Sequence, residues 1–193
     1  MIVLVIFLIL ILFIIFIINN KLLYVKIEAF DNNIYYVNDL PDAQDAANFL
    51  AKIMKILNEL VIKIIDNYNI LDTNDKKYIE SIKKIKDKLP FIKISENPLD
   101  NKYTSYSINK GEELVLCIRD KKTKKIQDIN DILYVAIHEI AHIGCLEYGH
   151  TEIFNEINYY LLKKAVEYDY YKYIDYYKNN KPYCGIQLTS TLL

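Results

Sequence analysis

The stretch from Ile132 to Ile143 constrains the fold of this chain more than any other part of the sequence. It reads I-L-Y-V-A-I-H-E-I-A-H-I, and apart from Tyr134 its ionisable side chains all belong to an H-E-x-x-H pattern. Such an apolar run predicts a largely buried helix. Since a buried carboxylate and buried imidazoles need partners, a bound metal ion is favoured over an accidental pattern on a solvated helix face.

All three histidines of the chain fall within this pattern and the short segment after it. The helical repeat puts His138 and His142 one turn apart on one face, where both rings can reach one Zn²⁺ with Glu139 beside it. His150 is the expected third ligand, because Gly144 and Gly149 allow the chain to leave the helix and turn back. The alternatives are a capping or packing role for His150 and a carboxylate ligand from Glu147, Glu152 or Glu156.

The motif and its surroundings resemble the WLM and SprT-like zinc metallopeptidases, in which an aromatic residue follows the third histidine by four positions. Here that pair is His150 and Phe154. The segments T-S-Y-S-I-N-K-G-E-E-L-V-L-C-I-R and D-I-N-D-I-L-Y-V-A-I resemble short membrane-anchored versions encoded by large DNA viruses. The gap between His142 and His150 is longer than the usual WLM spacing and shorter than the SprT spacing. The resemblance covers Asp42 to Cys184 and implies a zincin-like α+β peptidase domain.

Met1 to Ile18 is an uninterrupted apolar run without a charged side chain. As a helix it would extend ~27 Å, close to the ~30 Å hydrocarbon core of a bilayer. A cleaved signal peptide would need a basic start and small residues at a cleavage site, and the run has neither. The sequence therefore predicts an uncleaved single-pass anchor. Lys21 and Lys26 place the soluble domain in the cytosol or inside the virion.

The cysteines argue against a secreted disulfide framework, because Cys117, Cys145 and Cys184 are odd in number and lack C-x-x-C spacing. Cys145 lies between the second and third proposed ligands. A thiolate contact to zinc is conceivable there, but a small packing residue is the favoured interpretation.

The remaining periodicities predict a small sheet and several helices. Lys21 to Asp39 reads as short strands or a stalk, and the segment after Phe154 as a long helix packed on the metal helix. Helices are expected from Pro41 to about Tyr68 and from Thr73 to Leu89, with strands at Phe91–Ser95, Thr104–Ile108 and Leu114–Ile118, and a terminal strand in the K-P-Y-C-G-I-Q-L tail. We expect Leu114–Ile118 to be the sheet edge that could bind an extended substrate.

Nucleic acid is not an expected partner. The net charge is -1, and the tyrosine-rich Tyr168–Tyr177 stretch holds two aspartates and one lysine, which favours packing over base stacking. The basic turn Arg119–Lys125 is expected to be a solvated loop, with phosphate contact as the alternative.

These patterns predict a membrane-anchored zinc metallopeptidase acting on a protein or peptide. The predicted organisation is an anchor at 1–20, a juxtamembrane segment at 21–41 and a peptidase-like domain at 42–193. Zn²⁺ held by His138, His142 and His150 would activate water, with Glu139 as the general base. Tyr148 or Tyr183 is the candidate oxyanion donor. The alternatives are a catalytically silent, zinc-stabilised membrane or virion protein and a DNA–protein crosslink protease.

Overall fold

The computed structural model describes residues 11, 24–69 and 71–189. The strands are β1 (Tyr24–Glu28), β2 (Ile34–Asn38), β3 (Lys93–Glu96), β4 (Tyr106–Ile108), β5 (Glu113–Leu116), β6 (Lys181–Tyr183) and β7 (Ile186–Leu188). The helices are α1 (Ala43–Asp66), α2 (Thr73–Lys88), α3 (Ile129–Gly144) and α4 (Glu152–Glu167). The predicted α+β class is confirmed, since helices and strands come in blocks around a mixed sheet.

The main sheet has five strands in the order β1-β2-β3-β5-β4. Its outer pairs, β1 with β2 and β4 with β5, are antiparallel, while β2–β3 and β3–β5 are parallel. For residues 24–28 and 34–38 the sequence allowed strands or a stalk, and the structure shows strands paired into this sheet. The remaining two strands, β6 and β7, form a separate hairpin.

Helices α1 and α3 pack on the main sheet, while α2 and α4 pack on other helices. Successive residues of a strand point to opposite faces of the sheet. Val37, Ile94 and Leu114 point into the hydrophobic core. Tyr36 and Ser95, which are register partners, line an open cavity on the other face. The core therefore lies between the sheet and the helices, and α3 crosses it with ten buried positions.

The bounds of α1 and α2 confirm the helices predicted from periodicity. Pro90 lies in the 3-10 turn Leu89–Phe91 that directly follows α2, because its missing N–H and its ring disfavour further α-helix. Asp128 caps α3 by accepting a hydrogen bond from the Asn130 N–H at 2.8 Å. The expected strand at Leu114–Ile118 is β5, one residue earlier at its start.

The prediction that this strand forms the sheet edge is wrong. β5 pairs with β3 on one side and β4 on the other. Among the described residues β4 is the edge strand on this side of the sheet, next to α3, and β1 is the edge strand on the other side. Although β4 precedes β5 in the chain, β5 pairs directly with β3. Because β4 pairs, among the described strands, only with the other side of β5, it lies at the edge.

The structure contains a disulfide, although the number and spacing of the cysteines argued against a secreted disulfide framework. Cys117, just after β5, is disulfide-bonded to Cys184 in the β6–β7 turn. Residues 67 positions apart meet there, and an odd count with irregular spacing does not reveal such a pair. Cys145 is buried with a free thiol, as expected for a packing residue.

Arg119 corrects the expectation of a wholly solvated basic turn. Its side chain is buried and its guanidinium contacts Glu96 at 2.7 Å and Asp42 at 2.6 Å. A guanidinium held by two carboxylates is not presented to phosphate. The following residues 122–125 are exposed, as predicted.

The predicted anchor, Met1 to Ile18, lies outside the described residues except for Ile11. In the described part of the chain, no helix combines the length and the apolar character that crossing a bilayer requires. The anchor and the domain limits 1–20, 21–41 and 42–193 stay predictions.

Candidate metal centre

The three histidines converge at the C-terminal end of α3. His138 and His142 lie on one face of this helix, and His150 comes from the loop just before α4. One ring nitrogen of each histidine lies within 4.8 Å of those of the other two. The Nε2 atoms of His138 and His150 are 3.1 Å apart. The sequence-predicted triad is thus brought together, and within the described residues it is the one cluster of this kind.

Phe154 packs against the imidazole rings of all three histidines. It is 1% exposed, and its ring stacks on His142 with centroids 4.0 Å apart and planes 18° from parallel. Its centroid is also 4.9 Å from that of His138 and 5.0 Å from that of His150. Because Phe154 lies in the first turn of α4, the packing of α4 on α3 sets the position of all three imidazoles.

The loop between the ligands uses its glycines in different ways. Gly149 has a φ of +81°, a left-handed conformation that turns the chain toward His150. Gly144 does not form the turn expected of it. It ends α3 in close contact with α2, where a Cβ atom would lie 2.9 Å from the Ile85 side chain. This glycine serves helix packing.

Both helical histidines are held neutral. Burial, together with the neighbouring imidazoles, lowers the pKa of His138 to about 4. Burial, His150 and the Lys110 ammonium lower the pKa of His142 to about 4. A neutral imidazole keeps a lone pair for a metal at pH 7, and three imidazole nitrogens are a donor set that suits zinc. The triad can therefore hold a metal ion.

Glu139 lies beside the triad at a cavity of about 340 Å³. It is 7% exposed. Burial raises its pKa to about 7, although a hydrogen bond with the Ser107 backbone in β4 acts in the opposite direction. A carboxyl group with this pKa can both accept and release a proton near neutral pH.

The competing carboxylates do not join the triad. Glu147 is exposed on the loop, and Glu156 forms an ion pair with Lys77 at 2.8 Å. Glu152 and Glu156 line a different cavity between α2 and α4.

The structure separates the two tyrosine candidates. Tyr148 is 82% exposed and lies over the Lys110 ammonium. Tyr183 is buried and lines the Glu139 cavity, with its hydroxyl 2.5 Å from Ser105 Oγ. Burial raises the pKa of Tyr183, so its hydroxyl stays protonated and able to donate.

Sequence reasoning missed Asn158 and Lys110. The amide nitrogen of Asn158 is 3.3 Å from His138 Nδ1. The Lys110 ammonium donates to the carbonyls of Cys145, Leu146 and Glu147 at 3.0, 2.5 and 2.9 Å. A polar residue in the apolar stripe of α4 was a usable signal for Asn158. No sequence pattern points to Lys110, which lies in a turn of the distant β4–β5 connection.

Comparison with known proteins finds relatives of this chain in viruses. The uncharacterized protein R325 of Acanthamoeba polyphaga mimivirus is 38% identical over 170 residues, which cover 88% of this chain and 84% of the relative. The chain belongs to the family of mimivirus R325. A second relative is the uncharacterized protein 042R of Invertebrate iridescent virus 3. It is 42% identical to this chain over a segment that covers 35% of this chain and 42% of the relative.

A further viral relative is the uncharacterized protein 136R of Invertebrate iridescent virus 6, 42% identical over 38% of this chain and 39% of its own length. No family model matches this R325-family chain. Among solved structures, Wss1 from Saccharomyces cerevisiae is similar, with a TM-score of 0.48 and 17% identity over 69% of this chain and 88% of that one. A Wss1 mutant from S. pombe has a TM-score of 0.43 and 21% identity over 67% and 92%. Likeness at this level bears on neither activity nor ligand.

Proposed function

We propose that this chain is a zinc-dependent metallopeptidase of the WLM/SprT-like type, anchored in a membrane by Met1 to Ile18. The observation that carries the proposal is the convergence of three imidazoles beside a buried carboxyl group at an open cavity. A structural zinc site is closed by protein ligands, whereas a catalytic one leaves a position open and has a base nearby.

His138, His142 and His150 would hold the zinc, which when bound supplies Lewis acidity toward water and the substrate carbonyl. Glu139 accepts a proton from water in the cavity and returns it to the leaving amine. Its pKa of about 7 suits both transfers. The Tyr183 hydroxyl lies in the same cavity and is the candidate donor to the oxygen of the reacting carbonyl.

The edge strand β4 is the candidate docking site for the substrate backbone. Its Ser107 backbone already hydrogen-bonds Glu139, so a peptide aligned along β4 would pass directly by the base. Main-chain pairing of this kind gives affinity with little dependence on side chains.

Replacement of Glu139 by glutamine tests the function. Glu139→Gln preserves shape but removes the base, so peptide cleavage should fall by ~100-fold or more while the bound metal remains. Cleavage of a peptide library and metal content by mass spectrometry are measured on the same samples. Glu147→Gln is the matched control, because Glu147 is an exposed carboxylate on the ligand loop.

Unchanged turnover in Glu139→Gln contradicts the proposed mechanism. If the wild-type protein binds about one zinc per chain but cleaves nothing in the library, the zinc-stabilised structural role replaces the peptidase.

A further inference from the structure

The hairpin β6–β7 lies apart from the main sheet, next to the proposed metal site. Its two-residue turn consists of Cys184 and Gly185, both with positive φ, the conformation typical of tight hairpin turns. Among the described strands, β6 and β7 pair only with each other. A lone two-stranded hairpin is marginally stable in water, so other contacts must hold it in place.

A disulfide, a hydroxyl contact and an ion pair attach the hairpin to the domain. Cys184 is disulfide-bonded to Cys117 at the end of β5. The Tyr183 hydroxyl contacts Ser105 Oγ, which in turn accepts a hydrogen bond from the Cys117 N–H at 2.9 Å. Lys181 forms an ion pair with Asp131 of α3 at 3.1 Å. The disulfide is the one covalent attachment among them.

The hairpin forms one wall of the cavity that contains Glu139. Ile186 and Leu188 line the cavity from β7, and Tyr134 and Val135 line it from α3. The Ile186 side chain is 51% exposed, so much of its apolar surface is free to contact a ligand in the cavity. Apart from the histidines, Glu139 is the one residue of the charged types among the described lining residues.

The chemistry of these walls selects against charged side chains. An acidic side chain would lose its water of hydration against the apolar residues of the hairpin. A basic side chain would lose its hydration in the same way, and pairing with Glu139 would block the role of that residue as a base. An apolar side chain is stabilised by burial against the isoleucine and leucine of the hairpin.

We propose that the β6–β7 hairpin is the specificity wall of the site: it accepts an uncharged, apolar side chain of a peptide substrate, and the Cys117–Cys184 disulfide holds it against the metal centre. The inference rests on the proposed peptidase function. It adds a substrate class and identifies Ile186 as a residue that determines specificity.

Binding is measured with full-length Glu139→Gln protein, so that turnover does not interfere, and cleavage is measured with the wild type. Three peptides differ only at one position, which carries Leu, Lys or Glu. The Leu peptide should bind ~10-fold or more tightly than the other two. Adding Ile186→Arg should reverse the order of the Leu and Glu peptides, because a guanidinium then lies at the wall. The control is Ile62→Arg, an exposed isoleucine of α1 that does not line the cavity.

The outcomes separate the two proposals. If the wild type cleaves all three peptides equally and Ile186→Arg changes nothing, the specificity wall is wrong and the peptidase function stands. If nothing is cleaved but Glu139→Gln keeps the predicted binding order, the peptidase function is wrong and the selective wall stands. Absence of both cleavage and selective binding overturns both.

The contribution of the disulfide is tested by Cys117→Ser combined with Cys184→Ser. The preference for the Leu peptide should drop by ~5-fold or more while zinc content stays the same, since the triad lies outside the hairpin. If the double variant does not fold, mild reduction of folded wild-type protein gives the same comparison. A preference unchanged without the bond removes the disulfide from the proposal.

Discussion

Asn158 is the residue whose environment is explained best by a metal on His138. It is 1% exposed, and its amide oxygen makes no hydrogen bond within the described residues. The ring nitrogens that converge on His150 include Nε2 of His138, so a metal bound there would leave the hydrogen of His138 on Nδ1. A half-turn of the Asn158 amide places its oxygen as the acceptor for that hydrogen.

Loss of this acceptor should weaken metal binding. Asn158→Leu should lower zinc affinity by ~10- to 100-fold, the range found for residues that orient metal ligands. Asn158→Asp keeps an acceptor and should retain most of the affinity. Competition titration with a chromophoric chelator measures both. Equal affinities in wild type and Asn158→Leu would show that the amide does not orient His138.

At the residue scale, the sequence indicates the candidate metal ligands but not the residues that position them. The H-E-x-x-H spacing follows from helix geometry, so His138, Glu139 and His142 could be assigned to one face. His150 was inferred because no other histidine remained. The choice between Tyr148 and Tyr183 required the tertiary structure, since Tyr183 is brought to Glu139 by a hairpin about 40 residues further along the chain.

The loop between α3 and α4 is the element on which the third ligand depends, and Lys110 organises it. The ammonium donates hydrogen bonds to three successive loop carbonyls and lies 4.0 Å from the centre of the Tyr148 ring. A cation at the C-terminal end of a helix is favourable, because unpaired carbonyls concentrate there. The Lys110 side chain thus links three successive backbone positions of this loop.

Removal of that ammonium should release the loop without unfolding the domain. Lys110→Met should lower zinc affinity by ~10-fold or more, because His150 must then be ordered as the metal binds. The melting temperature of the metal-free protein should change little. Lys122→Met is the control, as Lys122 is an exposed lysine in another turn. Equal zinc affinity in the two variants would exclude this role for Lys110.

Elements defined by local pattern were predicted well, and their long-range pairing was not. Periodicity and Pro90 gave α2 to within a residue of its end. The order of strands was missed, because a sequence of short strands does not say that β5 inserts between β3 and β4. The disulfide was missed for the same reason, since it joins two elements that are distant in the chain.

For the whole molecule, the proposed anchor should be separable from the domain. Met1 to Ile18 precedes β1, and the triad with its supporting helices lies beyond α1. The full chain should therefore resist carbonate extraction from membranes, whereas a chain beginning at Lys21 should be released and still bind about one zinc. Western blotting of the two fractions and metal analysis measure this. Extraction of the full chain by carbonate would exclude the anchor.

The Cys117–Cys184 bond also records whether a chain has been in an oxidising environment. Disulfides persist in oxidising surroundings and are rare where glutathione keeps thiols reduced. A chain facing the cytosol as it is made would start with three thiols, whereas the folded structure keeps one, that of Cys145. Alkylation after denaturation counts these thiols by mass. Chains that have passed into an oxidising compartment or particle are thereby distinguished from chains still in the reducing one.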